Sequence, residues 1–342
     1  MTIKILLRKF NSLIFIGIFC FSIVSTFAQS VKIEPKVVVN IDRTANKYED
    51  FDSSEKSIAV DTKVNVSLCV SSGKLKINGW DRNEIRAFAN GSAVGFKVLQ
   101  KSKQNSQPVW VMIVGFDTTK KQTVNGDECL SGDDIEIDVP RSATVDVKND
   151  ESETTINSVA KATVKNVGGN IYLNGIERGV DATAYEGDIT VEKSGGSINL
   201  SGTTGNIIAF DLAPSDIGDT FKAKTNSGAI TLQNIEHRQM EINSNSGAMR
   251  FTGEFQNGGQ YRFGTQNGSI LLAIPETSSC KISASYGFGA FSSELPLQNL
   301  VKNALVNSKT QSLSAQMGAG DATLNLTTYS GAIRIRKKEI LK

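Results

Sequence analysis

Histidine, cysteine and proline are scarce in this 342-residue chain, which contains one His, four Cys and six Pro. A single histidine, His237, without a nucleophile motif beside it gives no basis for a catalytic triad. The cysteine spacing matches no metal-ligand pattern. Apolar runs rarely exceed five residues, whereas glycine, valine, isoleucine and threonine are frequent. This profile predicts an all-β protein of many short strands joined at glycine turns.

The amino terminus has the three parts of a secretory signal. The first ten residues carry three basic side chains and no acid, an apolar stretch runs over 13–24, and Thr26-Phe27-Ala28 ends it. We expect cleavage after Ala28. The alternative is a retained membrane anchor, but this apolar stretch is shorter than the roughly 20 residues that spanning a membrane requires. Cys20 follows the bulky Phe19, which disfavours lipid attachment. The sequence thus predicts an exported protein, located in the periplasm, on the cell surface or outside the cell.

Positive and negative charges nearly balance once the signal is removed. Loss of its three basic residues lowers Lys+Arg from 37 to 34, against 35 Asp+Glu, so the net charge falls from +2 to near −1. A nucleic-acid partner is not expected, because binding phosphates needs a basic stripe. The one basic cluster is predicted to occupy solvated positions on the last strand and its tail (Arg334, Arg336, Lys337 and Lys338).

Three cysteines remain after signal cleavage. Cys69 and Cys129 both lie in the amino-terminal third, each just before a serine-containing turn. An oxidising compartment permits a disulfide between them. We expect this pair to form and Cys280 to be buried and free; the alternative is three unpaired, buried thiols.

A short unit recurs from Gly73 to the end of the chain: glycine, any residue, apolar, any residue, apolar. Alternation with a period of two predicts a strand with one buried and one solvated face, beginning at a glycine. Several units follow a second alternating segment and an Asn/Ser-Gly turn, where glycine supplies a positive φ. The units begin at Gly73, Gly169, Gly187, Gly196, Gly228, Gly247, Gly268 and Gly331.

The spacing of these glycines favours one fold over another. Gly169 to Gly187 is 18 residues, Gly228 to Gly247 is 19, and Gly247 to Gly268 is 21. A period near 20 predicts a single parallel β-solenoid, and about ten coils at about 4.8 Å each would make a rod about 48 Å long. An antiparallel sandwich is the competing fold, since the same turns suit hairpins.

Four segments lie outside this pattern. We expect a signal peptide at 1–28 and an extended, partly disordered lead-in at 29–56. The solenoid domain then covers 57–342, with an excursion or hairpin at 97–128, where the sequence is polar around an apolar strand. Leu295 to Leu313 is predicted to form a short helix or a loop before the last two coils.

Motifs at both ends of the repeat carry a resemblance. They are Gly79-Trp80-Asp81-Arg82 near the start, Val139-Pro140-Arg141 leading into the coils, and Thr328-Tyr-Ser-Gly331-Ala-Ile-Arg-Ile335 near the close. In this order, over roughly 57–336, the chain resembles the bacterial family known as "putative adhesin", a domain of unknown function. The resemblance implies a β-solenoid in the cell envelope and offers no catalytic residues. The 97–128 excursion is longer than the family leads us to expect.

Candidate chemistry is sparse. Asp133, Asp134, Glu136 and Asp138 are the carboxylates considered for glycoside hydrolysis, but the last three alternate with apolar residues and are predicted to form the wet face of a strand. We expect His237 to be a solvated turn residue and Trp80 to plug the end of the coil stack, with ligand contact as its alternative role; Trp110 is ambiguous. Asn226, Asn245 and Asn267 are predicted to form a side-chain ladder at the turns.

Three functions remain open at this point. The first is a non-enzymatic adhesin or scaffold that binds an envelope, cell-surface or polysaccharide partner through a solenoid face, with no metal or cofactor. The second is a polysaccharide-active β-helix enzyme that uses surface carboxylates such as Asp133 and Asp134. The third is a structural or sensing component of the envelope. We expect no transmembrane anchor after signal cleavage, and no catalytic, cofactor or metal site is assigned.

Overall fold

Strands account for all the regular secondary structure in the part of the chain that the computed structural model describes, residues 55–90, 92–116, 129–304 and 310–339. The chain divides into two units, Met1–Ala45 and Asn46–Lys342, and every described residue belongs to the second. The predicted signal peptide and residues 29–54 of the lead-in lie outside the described residues. No helix within these ranges is long and apolar enough to cross a membrane.

The described strands are numbered in chain order. They are β1 (Glu55–Ala59), β2 (Asn65–Trp80), β3 (Glu84–Ala89), β4 (Ala93–Lys101), β5 (Pro108–Phe116), β6 (Leu130–Pro140), β7 (Thr144–Asn157), β8 (Lys161–Gly168), β9 (Ile171–Asn174), β10 (Gly179–Glu186), β11 (Ile189–Glu192), β12 (Ser197–Thr204), β13 (Ile207–Leu212), β14 (Thr220–Ser227), β15 (Ile230–Ile235), β16 (Gln239–Ser246), β17 (Met249–Thr252), β18 (Gln260–Asn267), β19 (Ile270–Ile274), β20 (Cys280–Phe288), β21 (Phe291–Ser293), β22 (Gln298–Ala304), β23 (Gln311–Met317), β24 (Ala322–Ser330) and β25 (Ile333–Lys337).

Each coil consists of a longer strand, a glycine bend and a shorter strand. In the coil of β14 and β15, Phe221, Ala223 and Thr225 are buried and alternate with exposed lysines, and Ile230 and Leu232 are buried in the shorter strand. The buried side chains of all coils belong to one hydrophobic cluster. Burial of each large aliphatic or aromatic side chain contributes about 1.5–3 kcal/mol, so the alternating pattern of the sequence holds the coil together.

Equivalent strands of neighbouring coils pair in parallel. Met240 of β16 faces Tyr261 of β18, for example, and Met249 of β17 faces Ile270 of β19. The stack therefore has a long-strand sheet (β8, β10, β12, β14, β16, β18, β24 and β20) and a short-strand sheet (β9, β11, β13, β15, β17, β19, β25 and β21). Strands β2 and β7 bend and run through both sheets. The parallel pairing confirms the β-solenoid and rules out the sandwich.

The bend glycines form a column in which each backbone passes close to the next. A Cβ built on Gly247 would lie 1.8 Å from the carbonyl oxygen of Gly228, and one on Gly268 would lie 2.0 Å from that of Gly247. Real Cβ atoms essentially never approach closer than 3.0 Å, so only glycine fits. The column is Gly169, Gly187, Gly205, Gly228, Gly247, Gly268, Gly331 and Gly289. Gly196, which the repeat motif grouped with these, instead precedes β12, and the bend of that coil is at Gly205.

Buried hydroxyl groups tie four of the long strands, β14, β16, β18 and β24, to the bend of the preceding coil in the stack. The side chain donates a hydrogen bond to a bend-glycine carbonyl, and these distances lie between 2.9 and 3.3 Å. The bend carbonyls would otherwise need another buried donor. The pairs are Thr225 with Gly205, Ser244 with Gly228, Thr265 with Gly247, and Thr328 with Gly268.

Antiparallel strands surround the amino-terminal end of the stack. Strand β6 pairs with β2 on one side and with β3 on the other, and β1 pairs with β3. Strands β4 and β5 form a hairpin whose second strand lies parallel to β2. This hairpin covers the first part of the predicted excursion, and residues 117–128 lie outside the described ones. A disulfide joins Cys69 to Cys129, and Cys280 is free and buried, as predicted.

The carboxyl-terminal coils do not stack in sequence order. Strands β24 and β25 lie between β18–β19 and β20–β21, so the coil that comes last in the chain is the next-to-last in the stack. The prediction of a helix or loop over Leu295–Leu313 is wrong where the structure describes strands, over 298–304 and from 311 onward. The segment contributes β22 and the start of β23. Strand β23 pairs antiparallel with β20, because its alternate residues from Leu313 onward are buried in the core, and β22 pairs with the other edge of β23.

Candidate functional site

The carboxylates considered for hydrolysis do not form a free cluster. Asp134 and Glu136 are exposed, as predicted, and Asp133 is exposed too, but Asp138 is buried, so its assignment to the wet face was wrong. The Arg86 guanidinium of β3 covers it and donates from Nε at 2.8 Å, and Asn78 of β2 lies within 3.4 Å on the other side. This carboxylate raises the pKa of Arg86. Asp138 is thus engaged in a structural ion pair.

His237 is fully buried, contrary to the prediction of a solvated turn. Its Nε2 lies 2.7 Å from the Gly196 carbonyl, which can only accept, so Nε2 carries the proton. The return from β15 to β16 spans only three residues, and its central side chain turns inward, toward the Phe221 ring at 6.1 Å. Burial lowers the pKa of His237, against the opposing effect of the Gly196 hydrogen bond. The imidazole therefore fills the core as a neutral group.

Both tryptophans lie near the amino-terminal end of the stack. Trp80 does not plug the core: its ring is half-buried on the surface, under the guanidinium groups of Arg82 and Arg86 at 4.9 and 5.8 Å. Its Nε1 donates to the Glu84 carbonyl at 2.8 Å, so it joins β2 to the start of β3. Strands β6, β3 and β1 extend the sheet beyond it. Trp110 on β5 is 41% exposed.

The predicted asparagine ladder is only partly correct. Asn245 donates to Asn226 at 3.2 Å, but Asn267 lies in the next row because it pairs with Ser246. Asn267 directly precedes its bend glycine, whereas Asn226 and Asn245 lie two residues before theirs.

A second ladder, which the sequence reading missed, follows the bend glycines. The backbone N–H of Asp188 donates to Asn170, that of Asn206 donates to Asp188, and that of Ala229 donates to Asn206, at 2.7–3.0 Å. The recurring Gly-Asn or Gly-Asp dipeptides at 169, 187 and 205 were the sequence signal for it. This second ladder is structural, because its acceptor oxygens are used within the stack.

The basic cluster lies on and just after β25, with Arg334, Arg336 and Lys337 exposed. Arg336 is 3.7 Å from Glu294, and Lys337 is 2.5 Å from Glu276. Two of its charges are therefore paired. Nowhere in 55–90, 92–116, 129–304 or 310–339 do three or more His, Cys, Asp or Glu side chains approach closely enough to hold a metal ion.

A shallow groove of about 610 Å³ crosses the outer face of the long-strand sheet. Two rows of outward-facing residues from adjacent strands line it. The first groove row is Ser201, Lys224, Asn243, Gly264 and Thr327, which pair in register from β12 to β24. The second groove row is Thr203, Asn226, Asn245 and Gln266. Gly264 is the one position in the first groove row without a side chain.

Exposed aromatic rings stand at both ends of the second groove row. The register of the flanking residues places Tyr185 of β10 beside Thr203, and Tyr329 of β24 beside Gln266. These rings are 58% and 53% exposed. Phe288, 56% exposed, packs edge-on against Tyr329 at 5.6 Å. Five strand steps of about 4.8 Å put the two tyrosines about 24 Å apart. Sequence reasoning missed this arrangement, because it depends on the register between coils.

This fold defines a class: a parallel β-solenoid with two sheets and a column of bend glycines. The Toastrack DUF4097 family matches residues 135–336, more than half of the chain, and the chain belongs to this family. The match confirms the resemblance to a bacterial family built on a domain of unknown function. Residues 55–134, including the Gly79-Trp80-Asp81-Arg82 motif, lie before the matched region.

Neither curated proteins nor solved structures relate this chain further. Among curated proteins no match is found. The crystal structure of a putative cell adhesion protein from Clostridium sporogenes ATCC 15579 aligns over 83% of this chain and 99% of its own, at 12% identity. The TM-score of 0.19 is too low to relate the two folds.

Proposed function

We propose that this protein is exported through a signal peptide at residues 1–28 and acts without catalysis, as an adhesin or scaffold of the cell envelope. The outer face of its long-strand sheet binds the partner surface. One observation carries this proposal: parallel strands from β10 to β24 present an uninterrupted exposed surface with a groove, flanked by the exposed rings of Tyr185 and Tyr329. Exposed aromatic side chains are enriched where proteins bind partners.

Two further observations support the proposal. The Cys69–Cys129 disulfide fits an oxidising compartment, since disulfides persist outside the cytosol. The candidate catalytic carboxylates offer no support for the enzyme alternative, because Asp138 is held by Arg86 and the others project into solvent. Proteins that bind through a solenoid use long faces of this kind.

Co-sedimentation tests this function. The chain, purified after export, is mixed with whole bacterial cells, purified envelopes and insoluble polysaccharides, and we expect saturable binding to at least one. A cysteine is then introduced at Asn245, on the groove, and modified with a bulky maleimide. The matched control is Gln233→Cys on the outward face of β15, in the short-strand sheet. Cys280 does not interfere, because burial raises the pKa of its thiol to about 11.

Modification at position 245 should abolish binding, whereas modification at 233 should leave it unchanged. Binding to no surface would refute the adhesin or scaffold function and would favour a structural role within the envelope. Equal loss from both modified proteins would refute the assignment of this face.

A further inference from the structure

The groove on the long-strand sheet has a lining of unusual chemistry for a protein-binding surface. Its two rows contain hydroxyl, amide and glycine residues and one charged side chain, Lys224, but no aliphatic residue. The cores of protein–protein interfaces are apolar and depleted in serine. Nucleic acid would require several basic groups to neutralise its phosphates. The lining therefore argues against both of these partners.

The same lining suits a ligand rich in hydroxyl groups. Serine and threonine hydroxyls both donate and accept, and asparagine and glutamine amides do so at separate atoms. Asn243, Asn245 and Gln266 are exposed along the groove. Asn243 Nδ2 lies 3.2 Å from Glu241, and Asn245 Nδ2 donates to Asn226, so one polar atom of each amide already has a partner and the amide oxygen faces the groove. Oriented groups of both polarities can match the alternating donors and acceptors of sugar hydroxyls.

The flanking rings supply the apolar part of such recognition. The electron-rich face of a tyrosine ring attracts the C–H groups on the face of a sugar ring, and its hydroxyl remains in water. Tyr185 and Tyr329 are about 24 Å apart along the direction of stacking, with the groove between them. In the second groove row a hydroxyl or amide group recurs on every strand, about 4.8 Å apart, so a ligand that itself repeats could meet these groups in succession.

We infer that this groove binds a neutral polysaccharide strand, extended across the strands from Tyr185 to Tyr329. The inference rests on the proposed function and names the chemical class of its partner. Both the polar groove rows and the two tyrosine rings fit a chain of uncharged, hydroxyl-bearing sugar rings.

The first test identifies the class of ligand on the envelope. Envelopes are treated either with protease or with periodate, which cleaves the vicinal diols of sugars, before co-sedimentation with the chain. We expect binding to survive protease and to be lost after periodate. Binding that is lost after protease and survives periodate would overturn the polysaccharide inference while leaving the proposed function intact. If untreated envelopes, cells and polysaccharides bind nothing, the proposed function itself fails.

The second test assigns binding to the groove. Affinity electrophoresis through gels containing hydroxyethylcellulose, galactomannan or dextran measures retardation by neutral polysaccharides, with alginate as the acidic comparison. Tyr185→Ala and Tyr329→Ala should each weaken retardation about tenfold, as for loss of an aromatic anchor. Tyr172→Ala, which removes a 40% exposed tyrosine from β9 of the other sheet, is the matched control and should have no effect.

A groove-filling variant separates binding from folding. A Cβ at Gly264 would meet only the Asn243 Oδ1 atom, at 2.9 Å, the mobile end of an exposed side chain. Because valine favours strands and the Cβ meets only this atom, Gly264→Val should fold, which thermal unfolding checks, and lose retardation, whereas Gln233→Val on β15 should keep it. Retardation by no neutral polysaccharide, by alginate alone, or to the same extent in every groove variant would overturn the inference.

Discussion

Replacing the bend glycine Gly247 with alanine should destabilise the protein severely for a purely steric reason. Gly247 is not among the glycines with a positive φ, so alanine can adopt its backbone conformation. The added Cβ, however, would lie 1.8 Å from the Gly228 carbonyl oxygen and 2.6 Å from its carbon. Both atoms belong to the backbone of a paired coil, and they cannot rotate away.

The expected loss follows from the distance. Reaching the minimal Cβ contact of 3.0 Å requires the coils to separate by about 1.2 Å at the bend. Such a shift would stretch the parallel hydrogen bonds of β16 and β17 and the bond from Ser244 to Gly228. We expect a loss of at least about 3 kcal/mol, among the larger effects of a single substitution. At about 2–4 °C per kcal/mol, the unfolding temperature should fall by at least about 6 °C.

Thermal and urea unfolding, followed by circular dichroism, measure this effect. Gly264→Ala is the matched control, because it adds the same methyl group to a neighbouring strand against a single mobile side-chain atom. We expect the control to be as stable as the wild type or slightly more stable, since glycine weakens a strand interior. If Gly247→Ala unfolded within about 1 kcal/mol of the control, close packing of the glycine column would not be what excludes a side chain there.

Three more predictions concern the buried polar groups and the disulfide. Because burial depresses the pKa of His237, the unfolded state binds its proton more readily below the ordinary value of 6.5. The stability that comes from keeping His237 neutral is therefore fully present above about pH 6.5 and is lost as the pH falls toward the folded-state pKa. His237→Gln should reduce this loss of stability in acid, as measured by thermal unfolding. Arg86→Met should cost about 2 kcal/mol in urea unfolding by leaving the Asp138 carboxylate buried without its partner, and a double variant with Asp138→Leu should recover most of the loss. Reduction of the Cys69–Cys129 disulfide, which closes a separation of 60 residues, should lower stability by about 2–4 kcal/mol; an unchanged unfolding temperature under reducing conditions would contradict this.

The sequence was most informative where one coil resembles the next. Alternation around Gly228, Gly247 and Gly268 predicts buried and exposed faces, and the near-constant spacing predicts parallel stacking. Both follow from local physics. An alternating strand must bury one face, and similar strands at a constant spacing can pair edge to edge and extend the same core.

The errors arise where a residue's environment is set by a distant part of the chain. Asp138 alternates like its solvated neighbours, but Arg86, 52 residues earlier, covers it. His237 is polar and lies in a turn, yet the three-residue return directs it into the core. The polar residues of the groove could be seen in each strand of the sequence. Their alignment into a row from Tyr185 to Tyr329 depends on the register between neighbouring coils, which the sequence does not show.

The insertion of β24–β25 between β18–β19 and β20–β21 has a consequence for how the molecule is assembled. A chain that emerges from a ribosome or a translocation channel could add its coils one by one as far as β19. Strand β20 has no strand to pair with at that stage, because both of its partners, β23 and β24, follow it in the chain. The far end of the stack, with its open row of N–H and C=O groups, is then a site for mispairing until β24 arrives. Completion of the fold is thus coupled to synthesis of this late coil, and a chain cut short before residue 322 would retain an unsealed edge.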